Sequence, residues 1–586
     1  MKFASLFSLT LLFVFYASSC NNDTPHGVRL YYEQNQSLDY AQAIAAYEKL
    51  AGHYPEARLL EMGPADSGKP LHLFMISSDG DFDPASIKRT GKSIVLVVNG
   101  IHAGEPAGID ASVSYAIDLL ENRNGMAKVL DNTVLAIIPV YNIGGALNRS
   151  PWYRLNQDGP EEKGSRRNAR NLDLNRDFAK QDSQNARSFA AIYHFLDPDV
   201  VVDTHTTNGA DHQYTMTLIP TMHQKMPRPM GEFFDNTMLP VLYERMNAET
   251  PWGMVPYVQT LRRGEVRSGI TAFNDHPYYS SGYASLFNSF AFITETLVYK
   301  PFADRVRATR DFMGFLMEFV SENSAGINRL RSQAVEHTKA TTHFVLDWAI
   351  DTSRTRPLHF RGYEREQAVS PLTYRVVNRY NHNRPWADTI PHYAYFTPIL
   401  GVDAPRAYLI PQAWDEVISR LELNGAEIAR LEKDTLIEVE VYRIEAHQTS
   451  ARPNQGRQTV SNAQLKRETL HRQFYRGDAL VSMDQRSNNY IAHMLEPLAP
   501  ASFFSWGFFN SVLEDGEWFS LYAFEDKAYE MLQEDPELRE LFEDLKAADP
   551  GFARDPLAQL QFLWDRFVPP SGHPPHGIYP VARMLR

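Results

Sequence analysis

His102 and Glu105 stand in the short segment His102-Ala-Gly-Glu105, directly after the apolar run Ile94 to Val98 and the pair Asn99-Gly100. Imidazole and carboxylate are ligand types that a hydrolytic zinc takes, and a two-residue gap in a tight turn lets both converge on one ion. Asp203-Thr-His205, at the end of the apolar run Val200 to Val202, brings a second imidazole. Two His and one Glu leave a fourth position open for water, the arrangement of catalytic rather than structural zinc. Neither piece is specific alone: His-x-x-Glu arises often by chance, and a single strand-end histidine is commonly a core residue capped by a neighbouring carboxylate. Two further segments raise the specificity. Arg166-Arg-Asn-Ala-Arg-Asn-Leu-Asp-Leu-Asn175-Arg176 crowds guanidinium groups, which pair bidentately with carboxylates and stabilise charge that develops in a transition state. In Phe290-Ala-Phe-Ile-Thr-Glu295-Thr one carboxylate interrupts an apolar run, and a charge buried there without a partner is costly.

These residues need a frame that brings them to one edge. Helical apolar spacing marks Tyr40 to Tyr54, and Leu59 to Met62 and Leu71 to Ile76 read as a strand pair around the turn-forming stretch Gly63 to Lys69. Strands at Ile94 to Val98, Val134 to Val140, Val200 to Asp203 and Ala291 to Leu297 then alternate with helices over Ala107 to Asn122 and Gln184 to Phe195. Continuous apolar strands alternating with amphipathic helices predict an α/β fold, a mixed and mostly parallel sheet flanked by helices. His102 and His205 would then stand at the strand ends where open parallel sheets carry their sites. A helix from Pro301 to about Asn323 closes this part.

The set resembles the zinc carboxypeptidase family, the carboxypeptidase A-like metallopeptidases. The Arg-x-Asn element at Arg166, the Asp-Leu-Asn175-Arg176 run, the loop Pro139-Val-Tyr-Asn142 and the leader Gly63 to Leu71 are similar to the family's motifs, in the family's order, over approximately Tyr40 to Ser321. The resemblance implies one zinc ion held by His102, Glu105 and His205, with Glu295 as general base. It implies that Arg166 stabilises the oxyanion and that Asn175 and Arg176 bind the terminal carboxylate of a peptide substrate. The family's mobile tyrosine has three candidates, Tyr278, Tyr279 and Tyr283, of which Tyr279 is taken. Deacylases of the aspartoacylase or succinylglutamate desuccinylase type and peptidases of cell-wall stem peptides share part of the pattern. A binding protein on a dead peptidase fold would be expected to have lost a ligand or the base, and none is lost here.

The chain of 586 residues is too long for one ordinary core, and its formal net charge of -13 argues against nucleic-acid partners. Lys2, the apolar run Leu6 to Tyr16 and the small residues Ala17 to Ser19 before Cys20 read as an export signal. Cys20, the only cysteine, stands where the bacterial lipobox has its lipidated residue, so a membrane-anchored lipoprotein is expected, periplasmic or at the cell surface. The division expected is a signal at 1–20, a catalytic domain at 21–335 and an accessory α+β region at 336–586. In that last region strands are expected at Thr342 to Ile350, Leu372 to Asn378, Ala407 to Ile410, Leu436 to Ile444 and Ala479 to Met483. Helices are expected at Gln412 to Asn424, Ser487 to Leu495 and Tyr529 to Ala547, and a loop or extended arm at Glu445 to Gln473. The aromatic patch Ser505 to Phe509 reads as core or a substrate shelf, core being preferred.

Overall fold

The structure, a computed structural model, describes residues 26–262, 264–514, 519–566 and 577–585. The expected signal and Cys20 lie outside the described residues.

An eight-stranded sheet organises the first part: β1 (Ala57–Pro64), β2 (Pro70–Ile76), β3 (Ser93–Asn99), β4 (Thr133–Ile138), β5 (Val200–Thr207), β6 (Met216–Pro220), β7 (Met254–Pro256) and β8 (Phe290–Leu297), in the order β1-β2-β4-β3-β5-β8-β6-β7. The central pairs β4/β3, β3/β5 and β5/β8 are parallel, while β1/β2, β2/β4 and β8/β6 are antiparallel. Every residue of β3, β4 and β5 is buried, which is why β3, β4 and the start of β5 read as apolar runs: both sheet faces are covered. The covering helices are α1 (Tyr40–His53), α2 (Ala107–Leu120), α3 (Gln184–Leu196) and α4 (Phe302–Ala340). An Asp39–Gln42 capping box starts α1, and the Ser183 hydroxyl accepts the Ala186 N–H at the start of α3. The expected mostly parallel α/β architecture is thus the one found.

Several elements differ from expectation. The closing helix runs on to Ala340 rather than Asn323, so the expected boundary at residue 335 lies inside it. Ser324, Ile327, Arg331, Ala334 and Thr338 keep its buried face going, but with largely polar side chains that hide the apolar period. The loop or extended arm expected at 445–473 is an arm of paired strands: Thr435–Thr449 and Val460–Phe474 form a long hairpin whose outer half is mostly solvent-exposed. With no buried face there, no alternation is written into the sequence. Leu372 and Tyr374, expected within a strand, are 85% and 83% exposed and lie in the connection between strands Arg356–Val369 and Val376–Tyr393. The charged helix expected at 529–547 is two helices, Leu521–Glu534 and Pro536–Ala548, because Asp535 caps the second and Pro536 opens it. Strand β6, the edge strand β7 and the helical run between Arg228 and Ala248 had not been expected.

The C-terminal part folds onto the first rather than standing beside it. Strand Val376–Tyr393 pairs in parallel with Ile270–Thr271, and Phe503, Phe504, Trp506 and Phe509 join the same hydrophobic core as β3. The aromatic patch is therefore core, as expected.

Candidate active site

Tight backbone turns after β3 carry His102 and Glu105, and the last half of β5 carries His205. In the parallel pairing of β8 with β5, Glu295 stands directly beside His205. Sheet register therefore sets the spacing of the carboxylate from the imidazole.

His102, Glu105 and His205 are all buried, and one donor atom from each lies within 4.8 Å of the others. The Nδ1 atoms turn inward: His102 Nδ1 is 3.1 Å and His205 Nδ1 is 3.0 Å from the Glu105 carboxylate. Each ring is held from behind by an aspartate. His102 Nε2 is 3.1 Å from Asp173 Oδ1, and His205 Nε2 is 2.9 Å from Asp203 Oδ2, which also accepts from the Ser280 hydroxyl at 2.6 Å. Such a carboxylate behind an imidazole fixes the tautomer that leaves the other nitrogen free to ligate. Two inward imidazole nitrogens and one carboxylate suit zinc, so the residues present fit the expected ion.

Arg154, which carried no sequence signal, donates to Glu105 Oε1 at 2.6 Å and to the Thr206 carbonyl at 2.7 Å. Burial would raise the Glu105 carboxyl, but Arg154 and His102 hold it well below the usual carboxylate range. Asp173 and Asp203 belonged to the segments quoted above, yet nothing in the sequence said which ring each would face.

Glu295 behaves differently. It is half-buried as a residue, its Oε2 is shut from solvent without a hydrogen-bond partner, and desolvation pushes its carboxyl up to about 8. The same desolvation favours the protonated carboxyl, so a proton transferred to Glu295 would be held there.

The remaining expected residues line the same cleft of roughly 330 Å³: Arg166, Asn175, Arg176 and Tyr279, with His102, Glu105 and Glu295. Arg166 donates to Asp173 at 2.9 Å and lies 3.2 Å from His102 Nδ1, and Asn142 holds its backbone carbonyl at 3.0 Å. The Arg176 guanidinium lies 4.6 Å from the Tyr279 ring centre and 5.9 Å from that of Tyr278. Asn175 Oδ1 is buried without a partner. Tyr283, the third tyrosine of that loop, is buried and bonds Asn424 at 2.6 Å, so it belongs to the core rather than to the cleft. Tyr257 and Phe273, not expected, complete an apolar wall with Ile219 and Ile293.

The family model described as zinc carboxypeptidase matches residues 43–214. Over this stretch the chain matches the zinc carboxypeptidase family. The match to the zinc carboxypeptidases spans His102, Glu105, Arg166, Asn175, Arg176 and His205, while Tyr279 and Glu295 lie beyond it. Carboxypeptidase 2 of Trichophyton equinum is 20% identical over 451 residues, covering 74% of this chain and 77% of that protein. A probable carboxypeptidase 2 of Arthroderma benhamiae is 24% identical over 134 residues, covering 23% of this chain and 22% of that protein. Among solved structures, a metallo-carboxypeptidase from Burkholderia cenocepacia is 15% identical with a TM-score of 0.37, covering 50% of this chain and 71% of that one. One from Pseudomonas aeruginosa, in complex with (2-guanidinoethylmercapto)succinic acid, is 16% identical with a TM-score of 0.37, covering 50% and 71%. Among the described residues, no helix is long and apolar enough to cross a membrane.

Proposed function

We propose that this protein removes C-terminal residues from peptides by zinc-dependent hydrolysis, with His102, Glu105 and His205 as the ligands of one zinc ion. The observation that carries this reading is the convergence of three inward donor atoms with Glu295, whose Oε2 has no hydrogen-bond partner, at the same strand ends. The names of the curated relatives, carboxypeptidase 2, point the same way.

Zinc bound there would supply Lewis acidity, bringing the pKa of a water down to about 7. Glu295 accepts the proton of the attacking water and returns it to the leaving nitrogen, so one carboxylate serves as base and then as acid. Arg166 donates to the oxyanion that forms at the scissile carbonyl, where a fixed cation in a partly desolvated cleft stabilises the transition state more than the ground state. Arg176 and Asn175 hold the terminal carboxylate, and Tyr279 backs the Arg176 guanidinium. The hold on the carboxylate selects the last peptide bond over internal ones. Purified protein is expected to carry one zinc per chain and to shorten free-acid peptides one residue at a time while sparing the same peptides amidated. Efficient cleavage of the amidated set, read by mass spectrometry, would sink the exopeptidase reading.

The first twenty residues direct export and Cys20 carries a lipid anchor; the small residues before the chain's only cysteine support this. A single acyl chain binds a bilayer marginally, whereas several anchor it stably. Cys20→Ser is accordingly expected to move from the membrane pellet to the soluble fraction. A variant that stays with the membranes would exclude the anchor. On the same reading the catalytic domain runs from residue 21 to the end of helix α4 at Ala340, past the expected boundary at 335, and the rest of the chain is an accessory region.

A further inference from the structure

The outer end of the long C-terminal hairpin reaches back to the loop that carries Arg166 and Asp173. Inside the connection between its strands, Asn454 and Arg457 pair through both backbone hydrogen bonds, 2.8 and 3.1 Å, with Gln455 at φ 52° and Gly456 at φ 82° between them. Two consecutive left-handed residues make a tight turn whose first central position favours Asn, Asp or Gly. Glutamine gains nothing from that backbone, so its presence calls for a reason in the side chain.

The side chain supplies one. Gln455 Oε1 accepts from Arg167 Nη1 at 2.9 Å and from the backbone N–H of Asp173 at 3.0 Å. Asp173 is the residue on which the site turns. Its Oδ1 faces His102 Nε2 at 3.1 Å, and its Oδ2 accepts from Arg166 Nη2 and Nε at 2.9 and 3.1 Å. Asparagine, one methylene shorter, would suit the turn better and reach less far.

The turn is fastened independently of Gln455. Arg457 binds both Asp182 oxygens at 2.8 and 2.7 Å and stacks 3.5 Å from the Phe508 ring centre. Removing the glutamine side chain therefore leaves the hairpin docked.

We infer that Gln455, contributed by the C-terminal hairpin, is a positioning residue of the zinc site: its amide oxygen fixes the Asp173 backbone and, through the Asp173 carboxylate, the orientation of His102 and Arg166. The inference rests on the zinc-site assignment proposed above. It gives the C-terminal part a task in catalysis without placing any of its atoms against the substrate.

Gln455→Gly and Gln455→Glu in the full-length chain test it. Glycine suits the left-handed turn, which offsets part of the two hydrogen bonds lost, so Gln455→Gly should remain folded with a melting temperature close to the parent's. One hydrogen-bond acceptor is lost, so its zinc dissociation constant, measured by competition with a chelator, should rise about 3- to 10-fold. Its kcat should fall by a similar factor with KM within about twofold, because Arg166 acts on charge present only in the transition state. Gln455→Glu keeps the acceptor and should restore both to within about twofold of the parent. Gln455→Gly with parental zinc affinity and kcat would overturn the inference, as would losses that Gln455→Glu fails to restore. If the parent hydrolyses no peptide, the function reading falls, while the zinc measurement still decides whether Gln455 positions the site.

Discussion

Glu295→Gln is expected to bind zinc as the parent does and to lose turnover by about 10² to 10⁴-fold, the typical worth of general acid–base catalysis. The amide matches the carboxylate in shape and can still hydrogen-bond water, but it cannot accept a proton. Glu295 is not one of the three clustered donors, and its Oε2 has no hydrogen-bond partner, so the substitution disturbs neither the ligand set nor an existing bond. The loss should appear in kcat with little change in KM, because the proton transfer occurs only on the way to the transition state. His102→Ala and His205→Ala should behave in the opposite way. Removing an inward imidazole leaves two donors, and elemental analysis should find the ion itself gone. A purified Glu295→Gln protein that keeps the parental rate would show that another group takes the proton.

The parts of this site legible in the sequence are those whose chemistry is local. His102 and Glu105 share one turn, Asp173 to Arg176 share one short run, and Glu295 betrays itself as a charge in an apolar strand. The central strands were equally legible, because burial on both faces leaves β3 and β4 almost wholly apolar and gives β5 an apolar start at Val200 to Val202. What the sequence withheld is what long-range packing decides. Arg154 reaches Glu105 from a loop with no pattern of its own, and Gln455 reaches Asp173 across 282 positions of chain. The partnering of Asp173 with His102 and of Asp203 with His205 depends on which strands lie side by side, and that is written in the sheet order rather than in any motif. The strand pairing around Gln455, where a loop or extended arm is expected, is hidden for the same reason: its strands are specified by each other, with little buried face to mark their period.

Arg176→Ala is expected to separate an exopeptidase from every other amide hydrolase that this cleft could support. Among the described residues no carboxylate lies within ion-pair reach of Arg176; its guanidinium stacks on Tyr279 and donates to the Asn175 carbonyl at 2.6 Å. A cation left without a counter-charge in a cleft is available to an incoming carboxylate, and a charge-assisted bond of this kind is worth about 1.5 to 3 kcal/mol. At 1.4 kcal/mol per tenfold, its removal should lower kcat/KM on free-acid peptides by about 10- to 150-fold. Amidated peptides bring no carboxylate to that position. They should be poor substrates of the parent, and Arg176→Ala should leave their slow rate nearly unchanged, so the ratio of free-acid to amidated turnover collapses while zinc content stays at one per chain. An enzyme that reads the acyl side of the bond, or cuts within peptides, would lose equally on both sets. Equal losses would remove Arg176 from carboxylate recognition and leave a zinc amide hydrolase whose selectivity is set elsewhere in the cleft.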